Sequence, residues 1–179
     1  VLLLGLSLPA HSADLVFPKL TGRVVDEAGL ISAGDQRLIN AASRRLEQTS
    51  GHQLVVVTVK DLQGVVIEDF GYQLGRHWGI GQAETNNGVL LIVAQAERKV
   101  RVEVGYGLEG DLTDARSSQI IQGIMLPRFK AGQVSGGIAA GSEAIRQVFQ
   151  GEFVPPKVTR SRASGAAPPM LLGLLFGLF

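Results

Sequence analysis

GVLLIVAQAERKVRVEV, Gly88 to Val104, decides the fold. Its first part, Gly88–Val93, is apolar at nearly every position, as a strand covered on both faces must be. Its last part, Val100–Val104, alternates strictly between valine and a charged residue, the pattern of a half-exposed strand. Gln95–Arg98 between them reads as a hairpin turn, so the two strands are antiparallel neighbours. Upstream, LVVVTV at Leu54–Val59 is a second β-branched run without polar alternation. Ile67, Phe70, Leu74 and Trp78 recur at helical spacing between these two buried runs. A strand, a helix and a second strand read as a right-handed crossover with parallel strands.

Further out, Ser32-x-x-Asp35 has the form of a capping box. It opens a helix whose Leu38, Ala42 and Leu46 share a face up to Gly51. Downstream, one helix is expected over about 113–126, ended by Pro127. Another is expected over about 133–149, with Val134, Ile138, Ile145 and Val148 inward. The element order is α, β, α, β, β, α, α. Buried strands need helices on both faces, so the fold class is α/β: a three-layer α/β/α sandwich with a small mixed sheet. The domain spans residues 14–150.

The flanks have a different character. Residues 1–13, VLLLGLSLPAHSA, join an apolar run to small residues, as the end of a secretory signal peptide does. Ala10 and Ser12 fit the small-x-small rule for cleavage after Ser12, with Ala13 as an alternative. Residues 151–169 are rich in Pro, Ala, Gly and Ser, a linker composition. Met170–Phe179 carries no charge. As a helix it covers only ~15 Å, about half a bilayer core, and reads as the first part of a truncated transmembrane segment. Together these flanks predict an exported domain on the periplasmic or extracytoplasmic face of the cell envelope, held by a C-terminal anchor.

Among 179 residues there is no cysteine, which excludes disulfides, thiolate metal sites and cysteine nucleophiles. With 17 basic and 16 acidic side chains the net charge is +1, which gives no nucleic-acid footprint. Gly105-Tyr106-Gly107-Leu108-Glu109-Gly110 matches GxGxxG, yet it follows the second arm of a hairpin and not the opening strand of a βαβ unit. Glu109, Asp111 and Asp114 would also repel a pyrophosphate. The expectation is a structural glycine turn and no dinucleotide. His52 and His77 belong to no hydrolase or zinc-protease motif. The remaining chemical signal is oxygen-rich: Asp26 in VVDEAGL, Asn86 and Asn87 before the buried strand, and Asp111 and Asp114 in GLEGDLTDA. Such donors suit a hard cation such as Ca²⁺. Each also has a local use, as a helix-start charge at Asp114, a turn at Asn87-Gly88 or a loop cap at Asp26.

GRVVDEAGLIS (22–32), TSGHQLVVVTV (49–59), HWGIG (77–81), NNGVLLIVA (86–94), RKVRVEVGYGLEGDLTDA (98–115) and PRFKAG (127–132) occur in this order. This ordered set resembles the TPM domain family over residues about 17–150. The family includes thylakoid-lumen photosystem II repair proteins, a nematode receptor-associated protein and many bacterial envelope proteins. The resemblance implies an α/β/α sandwich. It places Asp26, Asn86, Asn87, Asp111 and Asp114 on the family's acidic motifs and implies a possible calcium site. It also implies either a binding module that assembles or repairs membrane protein complexes, or a cation-dependent acid phosphatase acting on phosphomonoesters. Where the family often has Asp-Asn-Gly, this chain has Asn86-Asn87-Gly88, one negative ligand fewer. The residues favour binding: carboxylates cluster, but no basic clamp for a phosphate accompanies them.

Overall fold

A computed structural model describes residues 15–156. The expected signal peptide, the expected linker beyond residue 156 and the apolar Met170–Phe179 stretch lie outside the described residues. The elements run β1 (Val24–Asp26), α1 (Ala33–Ser50), β2 (Gln53–Val59), α2 (Ile67–Trp78), β3 (Gly88–Ala94) and β4 (Lys99–Val104). A 3₁₀ turn (Tyr106–Leu108), α3 (Asp114–Ile120), a π-helical turn (Ile121–Met125), α4 (Leu126–Lys130) and α5 (Val134–Phe149) complete the domain.

The sheet order is β1-β2-β3-β4. β1, β2 and β3 are parallel, and β3 and β4 pair antiparallel with Val89 opposite Val104 and Ala94 opposite Lys99. Alternate side chains feed two cores. Val56, Leu91 and Val102 face Ile39, Leu46, Ile138 and Ile145 of α1 and α5. Val57, Leu90 and Ile92 face Phe70 and Leu74 of α2. This is the expected three-layer α/β/α arrangement with a mixed sheet. Among the described residues no helix is long and apolar enough to cross a membrane.

Helix α1 opens as its sequence dictates. Ser32 caps it, accepting a hydrogen bond from the Asp35 N–H at 3.1 Å, and its hydroxyl donates to the Asp35 carboxylate at 2.8 Å. Gly51, at φ +75°, ends it. Its buried stripe, however, is Ile39, Ala42, Ser43 and Leu46, whereas Leu38 is 61% exposed. Ser43 can replace an apolar residue in that stripe because its hydroxyl donates to the Leu54 carbonyl.

Two further features differ from expectation. β1 is an additional three-residue edge strand, too short to show a period. Pro127 does not end a helix. The preceding turn widens to π geometry, with the Leu126 N–H donating to the Ile121 carbonyl, and Pro127 sits in the first turn of α4, where a missing N–H costs nothing. The packed structure also continues past Gln150. Phe153 packs on the α1–α5 core, and Arg146 donates to Glu152 at 2.9 Å.

Candidate functional site

The loops at the start of β3 and the end of β4 interlock through glycines. Gly105 lies beside Gly88, with its N–H donating to the Gly88 carbonyl at 2.8 Å. A Cβ on Gly105 would stand 2.1 Å from the Asn86 carbonyl oxygen, and one on Gly107 would stand 2.0 Å from that of Thr85. The glycines of the GxGxxG string thus let one loop lie against another. Asn86 adopts φ +47° here, a conformation asparagine tolerates better than most residues.

Asn87 braces this junction from within. It is buried, its Oδ1 accepts the Gln82 N–H at 2.7 Å, and its Nδ2 donates to the Gly51 carbonyl at 2.8 Å. Gln53 adds a parallel tie by accepting the Gly81 N–H at 2.9 Å.

Outside this frame runs an open groove lined by Tyr72, Arg76, Asn86, Glu103, Tyr106 and Glu109. Tyr106 is 81% exposed and Tyr72 is 55% exposed; they are the only two tyrosines of the chain. Arg76 donates to the Tyr72 hydroxyl at 2.7 Å, and its guanidinium carbon lies 5.5 Å from that ring's centroid. Glu103 is paired along its strand with Arg101 at 2.6 Å. The groove therefore offers two aromatic walls, one arginine and carboxylates along a rigid backbone. This composition suits recognition of a polypeptide surface, for which tyrosine and arginine are the favoured anchors.

Comparisons with known proteins bear on the family and the fold. The model of the TPM domain matches residues 24–148. The chain belongs to the TPM domain family. A solution structure of the N-terminal domain of a protein from P. gingivalis shares 38% identity, covering 73% of this chain and 83% of that one at a TM-score of 0.67. The N-terminal domain of cg2496 from Corynebacterium glutamicum matches at 20% identity and TM-score 0.57, over 75% of this chain and 84% of that one. The BA42 protein from Bizionia argentinensis matches at 18% identity and TM-score 0.58, over 71% and 86%. These last two share the fold. No curated protein matches the chain.

Within this TPM domain the five acidic and amide residues singled out from sequence do not form one cluster. Asp26 ends β1 and stands opposite Thr58, which in turn stands opposite Val93. That is five residues along the strands from Gly88, about 16 Å at 3.3 Å per residue, so Asp26 lies at the other end of the sheet. Its carboxylate accepts the Leu30 and Ile31 N–H groups at 2.9 and 3.0 Å and the Thr58 hydroxyl. It shapes the turn into α1 and has little left for a ligand. Asn87 is likewise spent on its neighbours.

Asn86 is in the groove. Asp114 lies in the first turn of α3 and shares an adjoining cleft with Glu103 and Glu109. Asp111 is exposed on the intervening turn and close enough to His52 to act on it electrostatically. Arg116 donates to the Asp111 backbone carbonyl and not to a carboxylate. Among the described residues no side chain bonds to the Asp111 or Asp114 carboxylates, and no three His, Asp or Glu side chains converge as a metal site. Asn86 and Asp114 line different clefts, and Asp111 lines neither.

Arg101, Glu103, Tyr106, Tyr72 and Arg76 were not singled out by sequence. The alternation of VRVEV carried a usable signal: its charged residues must face away from the valines. Tyr72 and Arg76, four residues apart on α2, face the same side, but only the topology brings that side to β4.

Proposed function

We propose that this TPM-domain protein is a membrane-tethered, extracytoplasmic binding module that helps assemble or maintain a membrane protein complex. The groove beside Tyr106 is its contact face. The observation that carries this reading is the placement of both tyrosines, exposed, on one rigid groove with Arg76 and Glu103. Large aromatic side chains held in water cost free energy unless a partner covers them. Tethering is supported by the leader-like composition of residues 1–13 and the uncharged, apolar composition of Met170–Phe179. A calcium ion, where present, is a weak auxiliary on the Asn86–Asp114 side. Phosphomonoester hydrolysis is the second reading from the family resemblance, and no pairing of nucleophile and base in this groove favours it.

The test uses the full chain in cells, with a photo-crosslinking phenylalanine analogue replacing Tyr106. The expected result is a crosslink to an integral membrane protein, absent when the same analogue replaces Glu27 at the far end of the sheet. Equal crosslinking from both positions, or none from Tyr106, overturns the assignment of this face.

A further inference from the structure

β4 is an edge strand, and its open side is defined by the ladder on its closed side. Gly105 and Gly88 form a hydrogen-bonded pair, so Glu103–Leu90, Arg101–Ile92 and Lys99–Ala94 are hydrogen-bonded pairs too. The N–H and C=O groups of Val100, Val102 and Val104 therefore point outward. Among the described residues no hydrogen bond reaches them. A cleft between this edge and the Leu112–Ala115 segment leaves space beside Val102 and Val104. Unpaired edges of this kind pair with other strands unless something blocks them.

The strand is also complementary to itself. In an antiparallel pairing of two copies with a twofold axis at Val102, Val102 meets its own counterpart and Val100 meets Val104. All six outward-facing residues then become hydrogen-bonded pairs. Between them, Arg101 of each copy falls opposite Glu103 of the other in the closer, non-hydrogen-bonded sites. Two opposite-charge pairs form on one face and a continuous valine stripe on the other. Shifting the register by two residues sets Lys99 opposite Glu103 but also Arg101 against Arg101, so like-charge repulsion disfavours it relative to the first register.

We infer that a second copy of this chain pairs with it along β4, Val102 against Val102, to give a continuous eight-stranded sheet. The partner here is an identical strand because Arg101 and Glu103, two residues apart about Val102, supply both halves of the charge match. This pairing shares Glu103 with the groove but not Tyr72, Arg76 or Tyr106, and its test involves purified protein alone.

Residues 15–156 enclose both cores, and the isolated N-terminal domain of the P. gingivalis relative has a solution structure. That segment is therefore the material for the test. The chain has no cysteine, so introduced cysteines report only their own geometry. Arg101→Cys and Glu103→Cys proteins are mixed and oxidised with glutathione. Opposed non-hydrogen-bonded residues have Cα atoms about 4.5 Å apart, within disulfide reach. The expected product is a disulfide-linked heterodimer from the mixture, with little dimer from either variant alone. In a cysteine-free comparison by ultracentrifugation, Arg101→Glu weakens dimerisation about tenfold and the Arg101→Glu/Glu103→Arg exchange restores it. Cross-linking of Arg101→Cys with itself contradicts the register. A wild type that stays monomeric throughout a concentration series, with no heterodimer on oxidation, overturns the proposal.

Discussion

Gly105 shows how a single missing methyl group can hold a site together. Its Cα passes so close to the 85–86 loop that a Cβ would sit 2.1 Å from a carbonyl oxygen, and the obstacle is backbone that cannot swing aside. Gly105→Ala should cost about 1–3 kcal/mol, the range for forcing extra carbon into a packed region. Urea unfolding of the 15–156 segment measures it, and a loss below ~0.5 kcal/mol would mean the loops part easily. His52 supplies a second prediction. Its ring stands edge-on to Phe149 at 4.9 Å, and its Nδ1 is buried without a partner among the described residues. Burial pushes its pKa below the ordinary value of 6.5, against a smaller upward pull from Asp111. The unfolded chain therefore accepts a proton that the folded chain resists. The stability from neutral His52 is complete above about pH 6.5 and declines as pH falls toward the folded pKa. The thermal midpoint should drop on acidification from neutral pH, and less so in His52→Gln. An equal drop in both proteins would place the titration elsewhere.

At the scale of elements, the buried strands and their helices were legible because burial leaves a period. β2 and β3 read as continuous apolar runs, β4 as an alternation, and α2 as Ile67, Phe70 and Leu74 on one face, all of which are buried. The failures have equally physical causes. Leu38 and Ile39 are adjacent, and helical spacing alone could not say which of them the core takes. The end assigned to Pro127 presumed an α-helical hydrogen-bond pattern, and a π turn removes the conflict. The site was harder to read, since Asp26, Asn86 and Asp114 carry similar chemistry in sequence. Only the parallel register separates Asp26 from the other two. Metal binding depends on the turn between β4 and α3 and not on one residue. With Asp26 and Asn87 committed elsewhere, calcium affinity should be weak, with Kd of order 10⁻⁴–10⁻³ M. Calcium at ~10 mM should raise the thermal midpoint modestly in wild type, and less in Asp114→Asn. No shift in wild type leaves Asp114 as a charge that favours the start of α3.

The whole molecule places its two polar ends on different tasks. The Asp26 end is closed by hydrogen bonds to the turn that starts α1. The Tyr106 end keeps a groove open on a frame fixed by Asn87, Gln53 and interlocked glycines. Braced loops of this kind hold aromatic side chains at low entropic cost to a partner, which is how a small domain binds a large surface. Under the proposed tethering, a membrane protein complex is what this open end would meet. The most direct measurement compares cells producing the full-length protein, its Tyr72→Ala/Tyr106→Ala variant, or none, with membrane protein complexes resolved on native gels. The account predicts that the variant loses the same assembled complex as the deletion, while its purified domain keeps a thermal midpoint near that of wild type. A stable variant that supports assembly as well as wild type would contradict it.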